Sequence, residues 1–256
     1  MPSVAPPQSG VPALSLIVPL KDEASNVAAV VEEVATVLGP SVPAYELILV
    51  DDGSTDGTFE HVRRLHAADP VHLVGLRFAR NFGQSAAFTA GFAAARAPLV
   101  ATMDGDLQND PADLPRLMAL AASHDIVSGW RKHRQDAVLT RHVPSVVANA
   151  LIGAVTGVRL HDNGCSLKVY RAEVVKPLHL RPGMHRYLPA IAGQLGGRVT
   201  EVVVNHRPRR FGTSKYGLSR TFRVLADLVH LHRVMREALV PPPPGAPLYE
   251  IAERLD

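Results

Sequence analysis

Short apolar runs alternate with amphipathic stretches along the N-terminal half of the chain. Leu14–Leu20 and Glu46–Val50 are strand-like runs, and between them apolar residues recur at helical spacing from Val27 to Leu38. Val71–Phe78 and Pro98–Met103 predict two more strands, separated by an alanine-rich helix over Ser85–Ala95. Strands that alternate with helices in this order predict an α/β fold with a mostly parallel sheet covered on both faces.

The ends of the chain differ from its centre. Residues 1–12 are rich in proline and are expected to form a disordered tail, and residues 241–256 begin with a run of four prolines and are expected to form a second tail. Residues 13–216 are expected to form one folded domain. Residues 217–240, discussed below, are expected to form an amphipathic helix.

Composition narrows the class of protein. Of the 256 residues, 46% are hydrophobic and 20% are charged, which is typical of a globular chain. The net charge of +3 is too small to indicate nucleic acid binding by itself. A single cysteine, Cys165, excludes an internal disulfide and favours a reducing compartment. No apolar run approaches the ~20 residues that cross a bilayer, and residues 1–10 lack the apolar centre of a signal peptide.

Two groups of carboxylates follow predicted strands. The first, Asp51-Asp52-Gly53-Ser54-Thr55-Asp56-Gly57, comes directly after Leu47–Val50. Ligands of parallel sheets bind beyond the carboxyl ends of the strands, so these carboxylates are placed to accept hydrogen bonds from a nucleoside. A turn followed by a helix N-cap at Ser54, Thr55 or Asp56 is an alternative that is compatible with this interpretation.

The second group, Asp104-Gly105-Asp106-Leu107-Gln108, follows the strand that ends at Met103. Two acids spaced by one residue can converge on a hard divalent cation, which shares its oxygen ligands with substrate phosphates. A solvated turn is the alternative, but its position beside the first group favours the metal site. The chain has neither a Gly-x-x-x-x-Gly-Lys-Ser/Thr loop nor a Gly-x-Gly-x-x-Gly after the first strand, which argues against kinase-like and dinucleotide-dependent activities.

Together these motifs resemble the family 2 glycosyltransferases over about residues 14–239. Arg80-Asn81-Phe82-Gly83-Gln84, Asp104 to Pro111, Asp162 to Tyr170 and Gly212 to Tyr216 resemble one branch of them, the polyprenyl-phosphate glycosyltransferases. The resemblance implies a GT-A fold with a Rossmann-like sheet, a nucleotide-sugar donor, a polyprenyl phosphate acceptor and Mg²⁺ or Mn²⁺ as cofactor.

The resemblance also implies roles for individual residues. The implied metal ligands are Asp104, Asp106 and Gln108. The implied nucleotide-binding residues are Pro19, Leu20, Glu23, Asp51, Asp52, Ser54, Arg80, Asp104 and Gly105. The implied acceptor-phosphate residues are Arg131, Arg141, Ser145, Arg209, Ser214 and Lys215. The implied catalytic residues are Asp106, Arg131, Asp162, Arg209 and Lys215, and Asp162 either acts as a general base or only orients nearby cations.

The expected reaction is an in-line, inverting displacement in which a lipid phosphate oxygen attacks the anomeric carbon. A phosphate monoester is already largely dianionic at neutral pH because its second pKa is near ~6, so no strong base is required. Transfer to a saccharide or protein hydroxyl would need a dedicated base and is one alternative. A non-catalytic module that binds sugar nucleotides is a second alternative.

The C-terminal part of the chain is strongly basic. Residues 206–236 contain eight Lys or Arg residues against one Asp. Apolar residues from Leu218 to Leu239 fall on one helical stripe, with arginines at 220, 223, 233 and 236 largely opposite. This pattern is typical of a helix that lies in the membrane interface, although an ordinary helix that covers the core is also consistent with it. We therefore expect a cytoplasmic protein, peripheral on the membrane or tethered by a membrane protein.

Overall fold

The computed structural model describes residues 10–42, 44–132, 143–208, 237–243 and 245–256, with the backbone alone for 143–148. In that part of the chain eight strands form one sheet: β1 (Leu14–Leu20), β2 (Tyr45–Asp51), β3 (Leu73–Phe78), β4 (Leu99–Thr102), β5 (Ile126–Trp130), β6 (Lys168–Arg171), β7 (Val199–Val203) and β8 (Ile251–Leu255). Their order across the sheet is β7-β5-β6-β4-β1-β2-β3-β8.

The centre of the sheet is parallel. β1 pairs in parallel with β2 and β4, and β2 pairs in parallel with β3. All of β2 is buried, and so is β1 apart from the half-buried Pro19, as expected for apolar strands covered on both faces. The strands β6 and β8 run antiparallel to their neighbours β4 and β3. The mostly parallel α/β sheet predicted from the sequence is confirmed.

Helices cover both faces of the sheet. The described helices are α1 (Val27–Ser41), α2 (Thr58–Ala68), α3 (Gln84–Ala94), α4 (Leu114–Leu120), α5 (Val143–Thr156), α6 (Ala172–Val175) and α7 (Leu188–Gln194). Side chains along β2 alternate between two apolar clusters: Leu47 and Leu49 pack with α1 and α2, whereas Ile48 and Val50 pack with α3. The two clusters fix the loops that leave the carboxyl ends of the central strands.

The C-terminal residues correct one expectation. Residues 241–256 were predicted to be a proline-rich tail, but Ile251–Leu255 form the edge strand β8. The prolines that prompted the prediction end at Pro247. Beyond them, the Tyr249 ring stacks on Phe78 at 5.3 Å between centroids, and β8 pairs with β3.

Two predicted segments fall mainly outside the described residues. Residues 1–9 of the expected N-terminal tail are not described, and neither are residues 217–236 of the expected C-terminal helix. Among the helices that the structure does describe, none is long and apolar enough to cross a membrane.

Candidate active site

Both carboxylate groups lie at the same edge of the sheet. Leu20, the last residue of β1, is paired with Asp51, the last residue of β2. On the other side of β1, Ile17 is paired with Thr102, so that β4 ends just before Asp104. The parallel register therefore brings the two groups together beside the end of β1, which is the position where sheets of this kind bind ligands.

The loops that follow β1 and β2 are fastened to each other. The Ser54 hydroxyl accepts a hydrogen bond from the Asp22 backbone N–H at 2.8 Å, and the Thr58 hydroxyl accepts from Glu23 N–H at 2.9 Å. The Asp56 carboxylate accepts from Ala24 N–H and also from Thr58 N–H at the start of α2, both at 3.0 Å. The N-cap residue of α2 is Gly57, so the predicted cap at Ser54, Thr55 or Asp56 is wrong by at least one residue. Asp56 still accepts from the first N–H of the helix, and Ser54 holds the neighbouring loop.

Gly53 permits a close approach between two loops. Its φ of +65° lies in the left-handed region, and a Cβ at this position would lie 2.4 Å from the carbonyl carbon of Arg80. A side chain therefore cannot be accommodated without moving the segment that contains Arg80. That segment also carries Phe82, whose ring lies 4.0 Å from the exposed Arg80 guanidinium.

Asp52 is the acceptor that holds this segment in place. Its buried carboxylate accepts hydrogen bonds from Phe82 N–H at 2.6 Å and from Gly83 N–H at 2.9 Å. Burial raises the pKa of Asp52, and these hydrogen bonds act in the opposite direction. Asp52 therefore has a structural role in addition to the nucleotide contact that was predicted for it.

Asp51 presents an acceptor oxygen at the floor of the site. The residue is fully buried, and its Oδ1 accepts a hydrogen bond from Ser54 N–H at 3.0 Å. Its Oδ2 has no hydrogen-bond partner among the described residues, and the nearest cation, Arg77 Nε, is 3.8 Å away. Burial raises the pKa of Asp51. A buried acceptor without a donor suits a ligand N–H or hydroxyl.

The Asp104–Gln108 segment is shaped by contacts with α3 and β1 and by a hydrogen bond of its own. Gln84 Nε2, at the start of α3, donates to Asp104 Oδ1 at 2.8 Å. Gly105 packs so tightly that a Cβ would lie 2.7 Å from Leu20 Cδ2. Asp106 is nearly buried and its Oδ1 accepts from Gln108 N–H at 3.2 Å. The segment is therefore positioned by the fold.

Arg131, which is mostly buried, and the buried Asp162 form an ion pair at the end of β5. Arg131 Nε donates to Asp162 Oδ2 at 2.7 Å, and Nη2 donates to Oδ1 at 3.0 Å. Burial alone would raise the pKa of Asp162, but the hydrogen bonds and charge of Arg131 hold it below its usual range. The charge of Asp104 also acts on Arg131, so the pair lies within electrostatic reach of the second carboxylate group.

A family model supplies the decisive comparison. The model described as glycosyl transferase family 2 matches residues 15–178, which include both carboxylate groups and the Arg131–Asp162 pair. The chain belongs to glycosyl transferase family 2. This confirms the family predicted from the motifs and, with it, the class of enzyme.

Two similar relatives in this family are named for polyprenyl-phosphate chemistry. A dodecaprenyl-phosphate galacturonate synthase of Rhizobium johnstonii is 48% identical over 227 residues, covering 87% of this chain and 67% of the relative. An undecaprenyl-phosphate 4-deoxy-4-formamido-L-arabinose transferase of Aeromonas hydrophila is 36% identical over 217 residues, covering 84% of this chain and 66% of the relative. The match thus spans about two thirds of the length of each relative, and both agree with the predicted branch.

Solved structures support the GT-A fold. A mannosyltransferase from Pyrobaculum calidifontis, in complex with GDP-Man and Mn²⁺, has a TM-score of 0.62 and 20% identity and covers 94% of this chain and 69% of its own. A glucosyl-3-phosphoglycerate synthase from Mycobacterium tuberculosis has a TM-score of 0.61 and 15% identity and covers 91% of this chain and 82% of its own. At these identities the likeness shows the fold.

Several of the glycosyltransferase's predicted site residues lie outside the described part of the chain. They are Arg141, Arg209, Ser214 and Lys215, together with the side chain of Ser145. Of the other predicted residues, Leu20 and Gly105 are buried, Pro19 and Glu23 are half-buried and Arg80 is exposed. Their roles as ligands stay predictions.

Residues outside the predicted set support the site. Asn109 is buried, and its Oδ1 accepts from Asp104 N–H at 3.2 Å and from the Ser166 hydroxyl at 2.9 Å. Arg207 forms ion pairs at 2.6 Å with Asp110 and with Glu33. Asn109 and Asp110 lie in the Asp104–Pro111 motif and Arg207 lies in the basic segment of residues 206–236, but neither pattern indicated these contacts because the partners lie on distant segments.

The side chains of the Asp104–Gln108 segment are chemically suited to binding a divalent cation. Asp104, Asp106 and Gln108 offer carboxylate and amide oxygens, the donors that Mg²⁺ and Mn²⁺ prefer. In the described ranges no cluster of three or more His, Cys, Asp or Glu side chains is found. A site with only two carboxylates is nevertheless usual where substrate phosphates supply further ligands.

Proposed function

We propose that this family 2 enzyme transfers a sugar from a nucleotide-sugar donor to a polyprenyl phosphate. The observation that carries the proposal is the mostly buried Arg131, held by Asp162 within electrostatic reach of the Asp104–Gln108 segment. A transferase that joins a sugar diphosphate to a lipid phosphate must bring two anionic groups together, and their repulsion requires fixed cations. The two relatives named above support the same acceptor class.

The donor is placed by the carboxylates at the end of β2. Asp51 Oδ2 accepts a hydrogen bond from a base N–H or a ribose hydroxyl of the donor. Asp52 holds the Arg80–Gly83 segment beside Asp51. Pro19, Leu20, Glu23 and Ser54 complete the walls of this pocket. We infer that Arg80, exposed on this segment, approaches the donor from the solvent side.

The donor diphosphate lies next to the Asp104–Gln108 segment. Asp104, Asp106 and Gln108 would hold Mg²⁺ or Mn²⁺. When bound, such a cation offsets the negative charge of the departing nucleoside diphosphate. Gln84 orients Asp104 through its 2.8 Å hydrogen bond, and Asn109 fixes the backbone of the same residue.

The reaction proceeds by one displacement at the anomeric carbon. A phosphate oxygen of the lipid forms a bond to that carbon, the bond to the diphosphate oxygen breaks, and the nucleoside diphosphate leaves with the electron pair. Attack from the opposite face inverts the anomeric configuration. The acceptor is already an oxyanion, so no proton has to be removed from it.

Asp162 orients Arg131 in this scheme and does not act as the base. Its carboxylate accepts two hydrogen bonds from the guanidinium, and its pKa is held below the usual range. A base with a lowered pKa is poorly suited to deprotonate a sugar hydroxyl at neutral pH. The same contact argues against a saccharide acceptor. We further propose that Arg141, Ser145, Arg209, Ser214 and Lys215 contribute to phosphate binding, as the resemblance implies.

The acceptor class can be tested by comparing three acceptors in separate reactions. The enzyme is incubated with a donor sugar, a divalent ion and one of three acceptors: undecaprenyl phosphate, undecaprenol without the phosphate, or a free oligosaccharide. The proposal expects a product with undecaprenyl phosphate alone. Glycosylation of the oligosaccharide, or equal reaction with undecaprenol, would show that the acceptor phosphate is not the nucleophile.

A further inference from the structure

A buried lysine contacts the turn that follows Asp162 of the Arg131–Asp162 pair. Lys168, the first residue of β6, is 3% exposed. Its Nζ donates to the carbonyl oxygen of Asn163 at 3.1 Å and also to the carbonyl oxygen of Cys165. Within the described ranges no carboxylate lies at ion-pair distance from Nζ. Burying an ammonium group without such a partner is costly, and burial lowers the pKa of Lys168.

Lys168 fastens the turn that carries Asp162. The carbonyl groups it binds belong to Asn163 and Cys165, which lie between Asp162 and β6. Asn149 of α5 also accepts a hydrogen bond from the Asn163 side chain at 3.2 Å. The turn is therefore held by Lys168 and by Asn149, and the Asp162 carboxylate is fixed where it clamps Arg131.

Lys168 also interacts electrostatically with the Arg131–Asp162 pair. The Arg131–Asp162 pair is neutral as a unit, because the carboxylate takes up two N–H groups of the guanidinium. Lys168 is the second cation in electrostatic contact with Asp162, and the charge of Asp104 acts on it as well. Lys168 therefore acts on Asp162 through its charge as well as through the turn.

We propose that Lys168 is a positioning residue for acceptor binding: it locks the Asp162 turn and so keeps Arg131 in its two-point contact. This inference rests on the proposed function, since it assumes that Arg131 faces the acceptor. It predicts selective damage to acceptor binding when Lys168 is changed, because the donor contacts at Asp51 and Asp52 lie on other loops.

The experiment measures binding of a short-chain polyprenyl phosphate and, separately, of UDP and GDP by calorimetry. The variants are Lys168→Met, which removes the charge, and Lys168→Arg, which keeps it. Lys176→Met, at an exposed lysine after α6, is the matched control. We expect Lys168→Met to weaken acceptor binding about tenfold, a ratio typical of coupled neighbours. Binding of whichever nucleotide the wild type prefers should stay within about twofold, with Lys168→Arg and Lys176→Met close to wild type.

A double-mutant cycle separates positioning from general support of the fold. If Lys168 acts through Asp162, then Lys168→Met should weaken acceptor binding by less than about twofold on an Asp162→Asn background. Independent, additive losses would overturn the proposal. So would wild-type acceptor binding by Lys168→Met, or equal losses for acceptor and nucleotide. If Lys168→Met shows no folding transition, Lys168→Arg decides: a tenfold loss of acceptor binding in the folded protein would overturn it.

Binding also distinguishes this inference from the proposed function. A wild-type protein that binds the polyprenyl phosphate selectively through Lys168 but forms no lipid-linked sugar would contradict the proposed reaction and leave the positioning role supported. A wild type that transfers sugar while Lys168→Met retains its acceptor affinity would support the proposed reaction and contradict the positioning role. A wild type that does not bind the acceptor would overturn both.

Discussion

The contact between Arg131 and Asp162 shows how one buried pair determines which chemistry a site can perform. The carboxylate is committed to the guanidinium through two hydrogen bonds, at 2.7 and 3.0 Å, so it is a weak base. The guanidinium in turn is held rigidly, because no free rotation is compatible with the two-point contact. An arginine fixed in this way is suited to binding phosphate and less suited to following a moving substrate.

Asp162→Asn should retain part of the activity. The amide oxygen can still accept from Arg131, but the charge that holds the guanidinium is lost, so acceptor KM should rise by about tenfold while donor KM changes little. Steady-state kinetics with each substrate varied in turn provide the measurement. Complete loss of activity with a normal fold would instead assign Asp162 a direct role as the base.

The same variant should change the stability of the protein in acid. The folded-state pKa of Asp162 is lowered, so its carboxylate stabilises the fold above the unfolded value of about 3.9 and loses this effect as pH falls through the lower folded value. Urea unfolding between pH 3 and pH 7 should therefore show a smaller acid-side decline for Asp162→Asn than for wild type. An identical decline in the two proteins would contradict the lowered pKa.

Asp106→Ala should be close to inactive. Removing one group that stabilises developing charge typically lowers kcat by a hundredfold or more, about 2.7 kcal/mol. Asp69→Ala changes a carboxylate between the end of α2 and the start of β3, at the opposite edge of the sheet from the site. It is the control and should stay near wild type. Wild-type turnover by Asp106→Ala would refute its assignment as a metal ligand.

At the scale of elements, the central strands were predictable from the sequence, whereas the edge strand β8 was not. β1 to β4 are mostly apolar runs bounded by turn residues, so their positions could be predicted from the sequence. β8, with the sequence Ile-Ala-Glu-Arg-Leu, has no such pattern and becomes a strand because β3 offers it a free edge. Pairing with a distant strand leaves no local signal.

The packing of the loops around Gly53 gives a prediction at the same scale. Gly53→Ala would combine a left-handed φ with a contact of 2.4 Å to backbone, and we expect a loss of about 3 kcal/mol in the free energy of unfolding. Gly57→Ala is the matched control: its φ is +88°, but the nearest atom is a Glu60 side-chain oxygen at 3.9 Å, so about 1 kcal/mol is expected. Equal losses in chemical denaturation would show that the Arg80 approach does not matter.

At the scale of the whole molecule, most motif residues were predictable and most of their supports were not. The two carboxylate groups and Arg131 stand in recognisable motifs, and the sheet register brings the carboxylate groups to one edge. Lys168, Asn109 and Arg207 act through partners between 3 and 174 residues away. Their contacts exist only after folding, so spacing along the chain could not reveal them.

The basic segment of residues 206–236 gives a prediction for the intact chain. Its arginines should attract anionic headgroups, so the protein should cosediment weakly with anionic liposomes at low ionic strength and dissociate as salt screens the charges. Changing Arg220, Arg223, Arg233 and Arg236 to Gln should abolish the binding, whereas neutral liposomes serve as the control. Failure to cosediment at low salt would leave a membrane-protein tether as the explanation for access to the lipid.

The most direct test of the central claim is mass spectrometry of the lipid fraction after incubation with undecaprenyl phosphate, Mg²⁺ or Mn²⁺, and a panel of UDP- and GDP-sugars. The panel should begin with nucleotide-linked galacturonate, because the relative at 48% identity is named for that sugar. We predict a lipid-linked monosaccharide with at least one donor, formed together with an equal amount of nucleoside diphosphate. Donor consumption that yields only free sugar, or no lipid-linked product with any donor, would contradict the account.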